Sequence, residues 1–236
     1  MHAIPGRRPV AEALRAGRRL HEVVADPRAE VDEIVAIARD LDVGVRTASR
    51  GELDRLTDGV GHQGIVAVAP PFAYASLAEI ESPLIVVLDG ITDPQNLGAI
   101  ARSAEVAGGG AIVLPKRRSA HVTPAAEKAA AGAFSWLDVA VVPNLTRALG
   151  DLAERGLWSV GLDGRARTSL WDERLLDGPV ALVVGGEGSG LSRLVSERCD
   201  ALVAIPLEGR LGSLNASAAA AVALFEVTRR AATNRG

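Results

Sequence analysis

Three loops in the second half of the chain carry polar side chains suited to binding or reaction, each directly after an apolar run. They are "LDGITDPQNLG", "VVGGEGSGLS" and "IPLEGRLGSLN". Ligands of open α/β sheets sit beyond the carboxyl ends of the strands, which is where such loops lie. The first leads into a helix. At about 100° per residue its apolar side holds Leu97, Ile100, Ala101, Ala104 and Ala107. Arg102 points away from that side, over Gly98 one turn earlier. It is either a solvated cation or one aimed at something the bare glycine admits. Asn96 reads as the N-cap of this helix, after an Asp93-Pro94 turn.

The second loop fits G-x-x-x-x-G from Gly185 to Gly190, but Leu191 stands where a phosphate-binding loop needs lysine. A dinucleotide fingerprint starting at Gly186 fails at the same leucine. Two readings stay open: a flexible turn, or a glycine backbone around Glu187 that approaches a ligand closely. In the third loop Ser213 reads as the N-cap of the last helix, with Asn215 in its first turn. Residue types alone stop at a ligand site with polar groups.

The elements that hold these loops alternate. "PLIVVLDG", "AIVLP", "VAVV", "WSVGLD", "VALVVG" and "ALVAIP" read as strands with helices between them, which predicts a parallel sheet covered on both faces. Upstream, a first helix over 9–16 is followed by a strand in "LHEVVAD" and a helix in "VDEIVAIARDL". A short strand "GVRTA" and a helix "SRGELDRLT" come next, the latter capped by Ser49 with Glu52 in the capping-box position. "GIVAVA" closes this unit as a buried strand. The paired prolines of "PPFAYAS" then break both periods. The chain divides into a small domain over 1–70, a linker over 71–81 and a larger domain over 82–236.

Bulk properties narrow the classes. With 236 residues, 48% of them hydrophobic, the chain can bury one or two cores. A net charge of −3 argues against a surface basic throughout. Local patches exist: Arg7, Arg8, Arg15, Arg18 and Arg19 face only Glu12 in the first twenty residues, and "KRRSAH" adds a second group. The single Cys199 excludes an internal disulfide and a Cys-rich zinc site, and no metal is expected. "MHAIPGRRPV" lacks the apolar core of a signal peptide, and "LNASAAAAVALF" is too short for a bilayer. The expectation is a soluble, cytoplasmic protein without membrane contact.

Together, "DPQNLGAIARSAEVAG", "LVVGGEGSGLS" and "IPLEGRLGSLNASAAAAVALFE" resemble, in order and spacing, the three motifs of the SpoU (TrmH) family of RNA ribose 2′-O-methyltransferases. The N-terminal part, with "GRRPVAEAL" and "HQGIVA", resembles the substrate-binding domain of its RlmB-type subgroup. The resemblance implies an α/β SPOUT fold, with a parallel sheet and a C-terminal deep trefoil knot, preceded by a small α/β substrate-binding domain. It further implies a homodimer and S-adenosylmethionine as cofactor. Gly185, Ile205 and Leu214 match positions that contact the cofactor; Asn96, Arg102, Glu187, Ser213 and Asn215 match polar positions associated with methyl transfer. A ribose 2′-hydroxyl is a poor nucleophile that must lose its proton as the methyl moves. Proposals for the family make this arginine assist deprotonation; because a neutral guanidine is costly, orientation and charge stabilisation are the preferred roles of Arg102, with an RNA phosphate as one candidate proton acceptor.

For RNA binding the N-terminal Arg7, Arg8, Arg18 and Arg19 are the phosphate contacts expected on that domain. His62 and Gln63 either face the nucleotide or form a turn. The implied target is a guanosine of 23S ribosomal RNA in the peptidyl-transferase region. Rivals are a tRNA ribose methylase, an antibiotic-resistance methylase of 23S rRNA, and an inactive RNA-binding assembly factor. The intact set of five polar residues speaks against the last.

Overall fold

The computed structural model describes residues 1–233. The first unit runs β1 (His2–Pro5), α1 (Arg7–Arg15), β2 (Glu22–Ala25), α2 (Asp32–Asp40), β3 (Val45–Thr47), α3 (Arg50–Leu56) and β4 (Ile65–Ala69). Its four strands lie in the order β1-β4-β2-β3; β2 and β3 are parallel and the other pairs antiparallel. Every residue of β4 is buried, since helices cover both faces of this inner strand. Ile4, Val10, Leu14, Val23 and Ile65 form the core on one face, and Val24, Leu53 and Val66 on the other. Strand β1 was not expected. His2 and Pro5 hide its character, and only pairing with β4 over four residues reveals it. The expected capping box is not formed: Ser49 makes no side-chain cap bond, and Glu52 accepts instead from Arg46 Nη1 at 2.6 Å.

The second unit contains β5 (Leu84–Asp89), α4 (Pro94–Val106), β6 (Ala111–Pro115), α5 (Pro124–Ala130), β7 (Asp138–Val142) and α6 (Leu145–Glu154). It continues through β8 (Trp158–Leu162), β9 (Thr168–Ser169), β10 (Val180–Gly185), α7 (Arg193–Arg198), β11 (Ala201–Ala204) and α8 (Ala216–Thr233). The sheet order is β7-β6-β5-β10-β8-β11-β9 and all its pairings are parallel. Alternate residues of β5 serve opposite layers: Leu84, Val86 and Leu88 pack with α4 and α8, Ile85 and Val87 with α6. No helix among the described residues is long and apolar enough to cross a membrane.

Two helix starts differ from expectation. Asp93, not Asn96, caps α4, its Oδ1 accepting from Gln95 N at 2.9 Å. Asn96 therefore lies within the first turn, its side chain released from capping. In α8 the roles shift the other way. Asn215 caps the helix, its Oδ1 accepting from Ser217 N at 2.8 Å, while Ser213 lies exposed upstream. Gly98 also has a different use from the one suggested by Arg102. A Cβ there would stand 2.5 Å from the Ala126 carbonyl oxygen and 2.5 Å from Ala129 Cβ. What the bare glycine admits is α5, packed against α4.

The two units are joined by a buried polar contact. Glu127 of α5 is fully buried; its Oε1 accepts from Arg18 Nη1 at 2.7 Å and lies 2.8 Å from His2 Nε2. The Arg18 guanidinium also sits over the Phe72 ring, 5.1 Å from its centroid. Beside it, Lys128 Nζ donates to Gln63 Oε1 at 2.7 Å, and partial burial lowers the pKa of that ammonium.

Candidate functional site

The loops after β8, β10 and β11 converge on one cleft of about 830 Å³. Its floor is the glycine run after β10. A Cβ on Gly185 would stand 2.3 Å from the Gly190 carbonyl carbon, and one on Gly186 would stand 2.3 Å from Gly90 O. The loop is thus folded on itself and pressed onto the turn after β5, with Gly186 and Gly190 bridged antiparallel. Gly188 at φ +77° and Gly190 at φ +62° supply the left-handed turns. The first close approach these glycines permit is therefore to the chain itself. Asp89 at the end of β5 helps, its Oδ2 accepting from Ser192 N at 2.6 Å.

At the rim three side chains from distant parts of the sequence bond one another. Asn96 Nδ2 donates to Glu187 Oε1 at 3.0 Å, and Asn215 Nδ2 donates to Asn96 Oδ1 at 3.0 Å. Asn215 Nδ2 also donates to Glu187 Oε1. Displacement of Asn96 from the cap of α4 is what makes its side chain available for this set. Asn215 does both jobs, with Oδ1 on the backbone of α8 and Nδ2 on the rim.

Six of the expected site residues line this cleft: Gly185, Glu187, Ile205, Ser213, Leu214 and Asn215. Asn96 joins them through its bonds to Glu187 and Asn215. The lining also includes Asp163 and Arg165, which sequence reading missed. Hydrogen bonds from Arg165 hold the Asp163 carboxyl below the usual carboxylate range. Their position beyond the carboxyl end of β8 was a usable signal, since the same rule pointed to the other loops. Cys199 contributes no nucleophile: burial pushes its thiol up to about 12. Among the described residues no group of three or more His, Cys, Asp or Glu side chains is placed to hold a metal ion.

Arg102 is not brought to this cleft within one chain. It lies six residues beyond Asn96 on α4, so the two side chains leave the helix about 120° apart. There it is exposed and lines a second cleft of about 200 Å³ together with Arg8, Glu12, Glu105 and Trp136. Of the N-terminal residues, Arg7, Arg8 and Arg19 are exposed, whereas Arg18 is engaged by Glu127 and Phe72. His62 is buried, with Nε2 3.1 Å from Asp54 Oδ1 and Nδ1 accepting from Gly64 N at 3.0 Å. Gln63 has φ +54° and accepts from Lys128. Both side chains brace the turn before β4, and Gln63 also reaches the second unit.

Comparison with known proteins places this geometry among related chains. The family described as the SpoU rRNA Methylase family matches residues 83–225, and that described as RNA 2′-O ribose methyltransferase substrate binding matches residues 3–75. A relative from Mycobacterium avium, named an uncharacterized tRNA/rRNA methyltransferase, is 44% identical over 238 residues, covering 95% of this chain and 76% of the relative. The SpoU methyltransferase AviRb of Streptomyces viridochromogenes shares the fold, with a TM-score of 0.84 at 24% identity over 99% of this chain and 90% of that one. AviRb has also been solved in complex with the cofactor AdoMet, with a TM-score of 0.81 at 24% identity over 98% and 90% of the two chains. A crystal structure described as an RNA 2′-O ribose methyltransferase gives a TM-score of 0.80 at 28% identity, over 97% of this chain and 88% of that one.

Proposed function

Since the chain belongs to the SpoU rRNA methylase family, it is an RNA ribose 2′-O-methyltransferase, and we propose that it methylates a guanosine of 23S ribosomal RNA in the peptidyl-transferase region. Its methyl donor is S-adenosylmethionine, taken into the cleft over the glycine loop. The observation that carries this reading is the bonded set of Asn96, Glu187 and Asn215 at the rim of a cleft large enough for a nucleoside-sized cofactor. The strand backbone at Gly185 and the apolar side chains of Ile205 and Leu214 suit an adenosine-like group.

The donor's sulfonium supplies an activated methyl that departs without acid assistance. What remains for the protein is position and charge. Asn96, Glu187 and Asn215 fix the rim, and the Ser213 hydroxyl adds one donor and acceptor there. Arg102 orients the ribose and its phosphate, and stabilises the charge that develops on the 2′-oxygen. An RNA phosphate accepts the hydroxyl proton. Within one chain Arg102 faces away from the donor cleft, so the site needs a homodimer in which Arg102 meets the partner's cleft. Exposed Leu211 and Phe225 supply apolar surface for such a pairing.

The same reading divides the chain into an RNA-binding domain over 1–70, a linker over 71–81 and a catalytic domain over 82–236. The loops after β10 and β11 form the trefoil knot in the last of these, and the enzyme works in the cytoplasm. Arg7, Arg8 and Arg19 contact RNA phosphates; Arg18, His62 and Gln63 hold the surface that presents them. Ribose methyl groups mapped by mass spectrometry in rRNA and tRNA, with and without the gene, test the assignment. One 23S guanosine should lose its methyl group without it. Loss from a tRNA instead moves the substrate, and methyl label found on a base overturns the chemistry.

A further inference from the structure

The second cleft takes part in the chemistry above only through Arg102 at its edge. It lies where α1, α4 and the turn after α5 meet, and at about 200 Å³ it has room for one planar ring system rather than a folded ligand. Its cations come from both units, Arg8 from α1 and Arg102 from α4, and both are exposed. Trp136 forms one wall. The Nε1 of Trp136 donates to Glu12 Oε2 at 3.1 Å, which fixes the edge of the indole on α1 while the residue stays 52% exposed.

The backbone is bent to make this arrangement. Ala131 at φ +52° and Gly132 at φ +103° both adopt left-handed conformations. A Cβ on Gly132 would stand 2.4 Å from Glu12 Cβ, so only glycine lets α1 close this side. Glu12 is also bound by Arg15 Nη1 at 2.7 Å, which offsets its charge and leaves Glu105 as the other carboxylate among the lining residues.

We propose that this cleft holds a nucleotide flanking the methylated one, its base stacked on Trp136 and its phosphate between Arg8 and Arg102. An indole pinned by its N–H presents a rigid face, and every base has a face to lay against it. Two guanidiniums from separate units match a phosphate and suit an apolar protein surface poorly. Single-stranded RNA is bound by this combination of stacking and cationic contact. The inference rests on the RNA methyltransferase reading and adds where the chain next to the target runs. It also gives the junction between the two units a purpose, since neither builds the cleft alone.

Unmodified transcripts of 23S rRNA and tRNA serve as probes, with calorimetry of S-adenosylmethionine uptake alongside. Trp136→Ala should weaken binding of the accepting RNA about tenfold while leaving donor affinity unchanged, and Trp136→Phe should stay within about threefold of wild type. Arg8→Gln should weaken it severalfold and lower the salt slope by about one. With Trp158 and Trp171 replaced by Phe, RNA should quench the fluorescence of Trp136 directly, a readout that does not depend on altering it. Unchanged RNA affinity in Trp136→Ala, or unquenched fluorescence, overturns the cleft assignment while the methyl transfer stands. Wild-type protein that takes up no donor overturns the enzymatic reading itself. A Trp136→Ala protein that loses its dimer without RNA present makes the cleft a subunit contact and overturns the proposal.

Discussion

The two clefts use their polar residues in opposite ways. In the first cleft Asn96, Glu187 and Asn215 bond one another, and one of them also caps a helix. In the second cleft Arg8 and Arg102 reach into solvent from a surface shaped by Gly132 and Trp136. The first arrangement is set before any ligand arrives. The second leaves its cations available for one. Preorganised dipoles suit the binding of a small donor that must sit in one pose, whereas exposed guanidiniums suit a polyanion.

That contrast is sharpest for the arginine on α4. Arg102→Ala should lower methyl transfer by about 10²-fold or more, equivalent to about 3 kcal/mol, with donor affinity within twofold of wild type. Single-turnover rates and calorimetry together check it, and an unimpaired rate removes Arg102 from the chemistry. Asn215→Ala should behave differently. A fall of about tenfold in rate should come with a loss of about 1 kcal/mol in stability, because the cap of α8 goes with the rim contact. Denaturant titration read beside the rate would break the comparison if stability stayed at the wild-type value. The smallest effect belongs to the exposed arginines of α1. Replacing Arg7 and Arg8 together by Gln should weaken RNA binding severalfold and flatten its salt dependence by about two units of slope. An unchanged slope places the RNA path elsewhere.

Much of the sheet was legible because its strands are covered on both faces and so appear as continuous apolar runs, from Leu84 to Leu88 and from Val180 to Val184. The loops that meet at the first cleft were legible for a related reason: they follow such runs. What sequence could not supply was which side chain does which local job. Asp93 and Asn96 are both good caps, and only the bond to Gln95 decides between them. Gly98 and Gly186 were equally good positions for a ligand or for backbone, and contacts with Ala126 and Gly90 decide for backbone. His62, Gln63 and Arg18 read as surface groups until partners 8, 65 and 109 residues away are known. β9, two residues long, exists only through its pairing with β11.

Strand order has a consequence for how the protein comes into being. The four strands of the first unit all lie before residue 70, so that unit can assemble while the rest is still being synthesised. The second unit cannot. β5 ends at Asp89, yet its neighbour β10 begins only at Val180, and the pair forms the middle of the sheet. Until that later strand leaves the ribosome, one edge of β5 stays open, and α4 waits longer still for α8. Nascent chains halted before about residue 180 should therefore hold a finished head on an unfinished body, the stage at which chaperones would have most to protect.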